Sequence, residues 1–439
     1  MSSNIQLTPD QQEASKKFLA FLLDPDQTEF YLFGAAGCGK SFLTRYFIEH
    51  TYSQYIDTCK LLGQQAKYRN VYLTATTNKA VEILDRLNIN RVTPQTIYSM
   101  FGVRVKDNYS NGVSYLTETS KSIVNNSIIF VDECSMLPIK MLGIIRKRIS
   151  NSKVVFIGDS YQLAPVKEKS YWNKTYAPCT VNLTTPVRNQ NNEPLKDLCS
   201  QLRQTVESGE FKEIHLAPDS IVQVNDEEAK KWLITADYSN SKVLCYTNNK
   251  VLMYQEWIRK QLCPNMDLLT KGEIYTNNSN YEYVGSNNLQ RYYPEEQVLI
   301  EDIGSVDTFT TFSGKYSYKA QRAKIRSKSG NRPKFVSDAQ VISETYNDFK
   351  DILSLAYKNR DFEDYFELKN QVMDLRLPYA STVHKSQGNT YEEVFIDLDS
   401  FKSCRDPAVA ARLLYVAVSR AKSKVMLYGQ LPKKYGAIL

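Results

Sequence analysis

The chain reads as two α/β units, the second carrying a long insertion of different character. Three observations predict this. Short apolar runs bounded by Gly, Asp or Thr, at Phe30–Phe33, Val71–Ala75, Ile128–Val131 and Val154–Ile157, have the length and composition of buried parallel strands. Helical patterns such as Ser41–Thr51 and Lys79–Leu87 fall between them, and that alternation argues for a parallel sheet. Similar runs return at Val243–Tyr246, Tyr379–Thr382, Val394–Leu398 and Val425–Tyr428. Between the first two of these lies Trp257 to Arg376, rich in Tyr, Asn, Ser and charge. Its early part holds β-like runs such as Gln297–Ile300. Its later part places Tyr346, Phe349, Leu353 and Ala356, then Phe362, Phe366 and Val372, at helical spacing. Asn359–Asp361 breaks that stretch into a helical hairpin.

Composition narrows the class. The 439 residues suggest two to four domains. Apolar residues make 42 % and charged residues 23 %, an ordinary globular balance that argues against long disorder. The excess of 55 Lys and Arg over 48 Asp and Glu, a net +7, permits a polyanionic partner without establishing one. Residues 1–12 are polar and lack the apolar core of an export signal, and no apolar run approaches the roughly 18 residues of a membrane span. Eight cysteines form no C-x-x-C pair and only three histidines are present, so a zinc site has little to draw on. A reducing, cytoplasmic setting with no membrane partner is expected.

Gly34-Ala35-Ala36-Gly37-Cys38-Gly39-Lys40-Ser41 follows the first strand and opens a helix. This is the phosphate-binding loop G-x-x-x-x-G-K-[ST], whose backbone N–H groups wrap phosphates at a helix N-terminus. Lys40 is expected to reach the β/γ-phosphates of ATP and Ser41 to hold Mg²⁺. Phe42 follows directly. Asp132 and Glu133 end the strand Ile128–Val131, at the edge where open α/β sheets bind ligands. Asp132 would hold Mg²⁺ through water and Glu133 would polarise the attacking water, although a solvated strand end alone explains two such acids. Gly158-Asp159 ends a further strand, and Gln162 on the loop after it would sense the γ-phosphate; a plain turn is the alternative. Thr8-Pro9-Asp10-Gln11 fits a capping box and, equally, a Gln amide reading the adenine edge; both roles are compatible.

Taken together, these motifs resemble superfamily-one DNA helicases. The resemblance rests on Gln11, the phosphate loop, Asp132-Glu133, Gly158-Asp159-x-x-Gln162-Leu163-x-Pro165-Val166, Ser381-Thr-Val-His384-Lys385-Ser-Gln387-Gly388, and Leu414-Tyr415-Val-Ala-Val-Ser419-Arg420-Ala421. Their order and spacing cover nearly the whole chain. The compact size resembles phage members of the RecD-like subgroup, which moves 5′→3′. The resemblance implies two RecA-like motor domains, a β-hairpin pin in the first, and an SH3-like plus helical insertion in the second. The corresponding ranges are 1–182 for motor 1 with a pin at 98–123, 183–256 and 377–439 for motor 2, and 257–376 for the insertion. ATP, with Gly388 among its neighbours, would sit between the motors.

Residue by residue, Arg188 and Arg420 match the family's two arginine fingers, a surface ion pair being the alternative for each. Motif Ia falls at Thr77, Asn78 and Lys79, with Thr76 where relatives carry Pro. Motif Ib falls at Thr96 and Tyr98; Tyr98 is either a base-stacking ring or core filling. Ser381, Thr382, His384 and Lys385 match the motif V segment that touches DNA, a structural His being the alternative for His384. Single-stranded and forked duplex DNA are the implied partners of a monomeric motor, alongside single-strand-binding or replisome proteins.

Two segments carry readings of their own. Val103–Leu116 alternates around Asn111-Gly112, the signal of a two-residue type I′ hairpin. That turn pairs Ser110 with Val113 and puts Tyr109, near the tip, forward as the base-stacking residue; a surface hairpin is the alternative. Lys315 to Lys334 holds eight basic residues and no acid, with Tyr316 and Tyr318 interleaved. It is either a phosphate-binding patch or the solvated edge of a hairpin. Rival functions fit less well. A GTPase would want Asp in the Asn78-Lys79 pattern, and a nuclease reading of Pro218-Asp219 and Glu228-Ala229-Lys230 places Glu228 on a helix rather than a strand. A phosphate-loop NTPase or translocase without strand separation is the nearest alternative.

Overall fold

The computed structural model describes residues 6–163, 179–185, 187, 192–264, 269–284, 289–328, 336–342 and 346–438. Arg188, Pro165, Val166, Arg332 and Lys334 lie outside the described residues.

The apolar runs of the first half form one six-stranded parallel sheet. Its order is Thr180–Leu183, Glu29–Gly34, Lys153–Gly158, Ser127–Asp132, Asn70–Ala75 and Gln95–Thr96. The inner strands are apolar on both faces because helices cover both: Phe30, Leu32, Ile128 and Val155 pack under Phe18, Phe47 and Tyr55, while Ile129, Val131, Val154 and Phe156 pack against Met141 and Ile145. The second sheet is also parallel, with order Ile221–Val224, Ala421–Tyr428, Tyr391–Asp397, Ser241–Cys245 and Ala380–Thr382. The helix Pro407–Val418 is buried along most of its length against it.

The insertion is a closed five-stranded barrel of Ile274–Asn277, Gln297–Thr310, Ser317–Ser327, Val336–Ile342 and Met373–Arg376. The helices Tyr346–Lys358 and Phe362–Gln371 leave the barrel between its last two strands. Arg360, in the left-handed region at φ 61°, makes the turn between them. This is the fold class read from the sequence: two RecA-like sheets, a hairpin in the first unit, and a barrel plus helical pair in the second.

One sequence expectation is corrected. The hairpin Val103–Asn108 and Val113–Glu118 pairs Asn108 with Val113, Asp107 with Ser114 and Lys106 with Tyr115. The loop therefore has four residues, Tyr109 to Gly112, and Ser110 does not pair with Val113. A type I′ turn needs positive φ at both central residues, and here Gly112 has it (69°) while Asn111 does not. Asn108 directs the wider turn: its Oδ1 accepts the Ser110 N–H at 2.9 Å and its carbonyl accepts the Gly112 N–H at 2.9 Å.

The basic stretch had two open readings, a phosphate-binding patch and a solvated hairpin edge. Arg322 pairs with Asp307 and Arg326 with Glu301, both at 2.6 Å, and Lys315 with Asp361 at 2.7 Å. Lys324 stands in register between Asp302 and Asp338. Tyr316 and Tyr318 are buried, their hydroxyls on Asp361 and Gln340. Among the described residues of the run, Arg322, Lys324 and Arg326 thus face cross-strand acids and Lys315 a helix-capping one, which favours the solvated hairpin edge.

Candidate active site and nucleic-acid track

The phosphate loop is shaped by contacts that exclude side chains. A Cβ on Gly34 would stand 2.9 Å from Leu183 Cβ. Gly39 caps the helix Lys40–Tyr46 with φ 78°, and a Cβ there would come within 2.7 Å of Gln11 Nε2. The Lys40 ammonium donates to the carbonyls of Gly34 and Ala35 at 2.8 and 2.9 Å, inside the loop. Ser41 is partly exposed and Phe42 is exposed beside it. Gln11 is 3 % exposed and does two things at once. Its Oε1 accepts the Thr8 N–H at 3.2 Å, as in a capping box, and its Nε2 donates to the Cys38 carbonyl at 3.4 Å. Asp10 accepts the N–H groups of Thr184 and Thr185, both at 2.9 Å, tying this helix to the segment leaving the first sheet. Burial raises the Asp10 carboxyl, but these donors and the Thr8 hydroxyl outweigh it and hold it below its ordinary range.

Asp132 accepts the Glu133 N–H at 2.9 Å, and Glu133 sits in the left-handed region at φ 50°. Burial first, and the adjacent Glu133 carboxylate second, push the Asp132 carboxyl up to about 7, against the pull of Lys40. Such a carboxylate is short of positive charge, and with the Ser41 hydroxyl it offers the hard oxygen donors that suit Mg²⁺. Thr76 donates to the Glu133 carbonyl at 3.4 Å and so supports this strand end.

Across the cleft the second unit presents its own motifs. A Cβ on Gly388 (φ 79°) would stand 3.8 Å from Glu133 Oε1. Gln387 Nε2 donates to Gln162 Oε1 at 3.3 Å. The Tyr415 hydroxyl reaches both Asp159 and the Ala36 N–H of the phosphate loop, at 2.7 and 3.3 Å. Arg420 is placed differently from the finger role implied by the resemblance. It is 2 % exposed, and its guanidinium donates to the carbonyls of Val416 and Asn389, both at 3.1 Å, and to Ser419.

The residues assigned to DNA lie mainly at strand ends and helix starts. Thr77 caps the helix Asn78–Asp85 by accepting the Ala80 N–H at 3.1 Å, and Lys79 pairs with Glu82 at 3.2 Å. Thr96 caps Ile97–Met100 in the same way. Tyr98 is partly buried against the core of the first sheet, its core-filling reading. On the second sheet Ser381 is partly exposed, while its buried hydroxyl has no hydrogen-bond partner among the described residues. Thr382 is buried, and His384 is partly buried beside Tyr246, with burial lowering its imidazole. Lys385 points elsewhere: it bonds Asn278 and pairs with Glu295 at 3.3 Å, so its ammonium braces the barrel.

One segment went unread in the sequence. Thr247 caps the helix Asn248–Leu262 through the Lys250 N–H at 3.4 Å, after a second-sheet strand, as Thr77 does after a first-sheet strand. The likeness of Thr247-Asn248-Asn249-Lys250 to Thr77-Asn78-Lys79 was the available signal.

On the hairpin, period two places Arg104 and Lys106 with their partners Thr117 and Tyr115 on one face. Arg104, Lys106 and Tyr115 on that face are exposed. The loop lies against the helical pair: Tyr109 meets the Phe366 ring, and a Cβ on Gly112 would fall 2.4 Å from Phe362 Cε1. Asn370 donates to Asp107 Oδ2 at 2.9 Å.

Residues 23–168 match the AAA domain family and residues 377–428 the UvrD-like helicase C-terminal domain. The chain is 25 % identical to the ATP-dependent DNA helicase Pif1 of Campylobacter jejuni, over 89 % of this chain and 86 % of that protein. It is 22 % identical to the ATP-dependent DNA helicase dda of Enterobacteria phage T4, over 89 % and 92 % of the two chains. Its fold is similar to that of Bacteroides Pif1 crystallised with ADP-AlF3 and single-stranded DNA, with TM-score 0.50, 16 % identity, and 99 % and 95 % coverage. Two parallel sheets meeting at a phosphate loop, with the motifs on both sides of the cleft, go with these likenesses: the chain is similar to the ATP-dependent DNA helicases Pif1 and Dda and carries an AAA and a UvrD-like helicase C-terminal domain match.

Proposed function

We propose that the chain is an ATP-driven DNA helicase that moves 5′→3′ on single-stranded DNA and parts a duplex at its hairpin. The observation that carries this reading is the cleft. Glu133 and Gln162 of the first unit stand against Gly388 and Gln387 of the second, beside the phosphate loop. Chemistry placed there is felt by both sheets at once. The motors would comprise 1–182, and 183–256 with 377–439, and the insertion 257–376.

Lys40 would leave the Gly34 and Ala35 carbonyls for the β/γ-phosphates, a charge-assisted exchange. Ser41 and Asp132 would hold Mg²⁺, which supplies charge neutralisation at the phosphates. Glu133 would orient the attacking water and take its proton. Gln162, through Gln387, would report the γ-phosphate to the second sheet. Arg188 and Arg420 would neutralise the developing charge once the motors close, Arg420 giving up its carbonyl partners to do so. Thr77, Asn78, Lys79 and Thr96 on one sheet, and Ser381, Thr382 and His384 on the other, would grip the DNA backbone in turn. The exposed face of Arg104, Lys106 and Tyr115 would meet the fork, its cations on phosphates and its ring on an unpaired base.

Steady-state ATPase with and without single-stranded DNA tests the site. Glu133→Gln should bind ATP and DNA normally and hydrolyse about a hundredfold or more slowly, the usual size of a lost general base. Loss of nucleotide binding in that variant, or normal turnover, would remove Glu133 from the chemistry.

A further inference from the structure

One hydroxyl joins three motifs across the cleft. Tyr415, on the helix Pro407–Val418, is 1 % exposed, and so is Asp159 at the end of the first-sheet strand Lys153–Gly158. The phenol donates its one proton to Asp159 Oδ2 at 2.7 Å and accepts the Ala36 N–H at 3.3 Å. Asp159 Oδ1 accepts the Tyr161 N–H at 3.0 Å. One turn earlier on the helix, Arg412 Nη1 donates to the carbonyls of Ser160 and Gln162 at 2.6 and 2.7 Å. Positions three apart share a helix face, so Arg412 and Tyr415 together hold the loop that carries Gln162, and Tyr415 reaches on to the phosphate loop.

The two bonds of the phenol differ in strength. The short one is charge-assisted and lies in a buried setting, where such bonds are strong. The longer one occupies a backbone amide of the kind that cradles phosphates in this loop. A phosphate oxygen carries negative charge and is a better acceptor for that amide than a phenol oxygen.

We infer that Tyr415 is a positioning residue for nucleotide turnover, whose hydroxyl holds the Ala36 amide until nucleotide phosphate displaces it while its bond to Asp159 persists. The phosphate loop is thereby linked to the second unit through the helix Pro407–Val418. The inference rests on reading Gly34 to Ser41 as the ATP site.

The test is Tyr415→Phe in the full chain, which keeps the ring and removes only the oxygen. A fluorescent ADP analogue with Mg²⁺ is titrated, and ATPase is measured with and without single-stranded DNA. Without the competing oxygen, Ala36 N–H lacks an acceptor until phosphate arrives. The analogue should bind roughly threefold to tenfold tighter, the size of one hydrogen bond, and KM for ATP should fall. DNA-stimulated kcat should fall at the same time, because the link to the second unit is cut. A residue that only fills the core would lower the melting temperature without this split. Asp159→Asn, which loosens the hold on Tyr415, should show the same split at smaller size and serves if Tyr415→Phe folds poorly. Lys40→Ala separates the two readings: if it retains ATPase, the ATP site lies elsewhere. If Lys40→Ala is inactive and Tyr415→Phe binds the analogue no tighter than the parent, the inference about Tyr415 is overturned.

Discussion

The ring of Tyr109 stands edge-on against that of Phe366, with centroids 5.4 Å apart and planes at 79°. It joins the hairpin loop of the first unit to the second helix of the insertion, 257 positions further along the chain by residue number. Edge-to-face pairs of this kind contribute about 0.5–1.5 kcal/mol beyond their burial. The loop is further held by Asn370 on Asp107 and by Gly112, whose missing side chain lets the rings of Phe362 and Tyr357 approach. Tyr109 thus rests one edge on Phe366 while its ring stays exposed, as does that of Tyr115 on the hairpin.

Tyr109→Ala and Phe366→Ala should each slow unwinding, and the double variant should be little worse than either, because both remove one contact. Tyr109→Phe should unwind at the parental rate. Tyr115→Ala should slow unwinding while DNA-stimulated ATPase is kept, since stacking is worth about 1–3 kcal/mol per base. Equal, additive losses from Tyr109→Ala and Phe366→Ala would show that the rings act independently.

Replacing Arg322, Lys324 and Arg326 together by Gln should leave the salt dependence of DNA binding nearly unchanged. Their charges face Asp307, Asp302 and Asp338, and Glu301, so few counterions are released there. A slope of log K against log salt shallower by about two or three would show that all three grip phosphates.

Lys153 gives a pH signature. It is 1 % exposed, donates to the carbonyls of Asp24 and Gln27, and lies 4.5 Å from the centre of the Phe21 ring. Burial lowers its ammonium from the ordinary 10.5 to about 8. Between about pH 8 and 10.5 the unfolded lysine keeps a proton that the folded one has lost, so rising pH favours the fold in that window. Denaturant melts of the parent and Lys153→Met should show the parent gaining stability relative to the variant across it. A difference that stays flat with pH would mean the folded lysine titrates like a free one.

Legibility in the sequence followed distance along the chain. The phosphate loop and Asp132-Glu133 were readable because strand, loop and helix are contiguous and the glycines are demanded locally. The helical pair was readable from its 3.6-residue period and its break near Arg360. The hairpin register was not, because the Asn108 side chain closes a wider turn than Asn111-Gly112 alone would make. Nor was the fate of the basic run: Asp307, Glu301 and Asp361 sit on neighbouring strands and a distant helix end, and pattern along one strand does not reveal them. The same holds for Lys385, whose partners Asn278 and Glu295 come from the barrel. Tyr415 stood within a motif, but its partners could not be read, since they lie 256 and 379 positions away.

The most direct test of the account is unwinding of a forked duplex with Mg²⁺ and ATP, comparing a 5′ single-stranded tail with a 3′ tail. The account predicts strand separation from the 5′ tail, little from the 3′ tail, and none from either with Lys40→Ala, which loses the ammonium proposed to grip the phosphates. ATP-independent strand separation, equal activity of Lys40→Ala, or unwinding from the 3′ tail alone would contradict it.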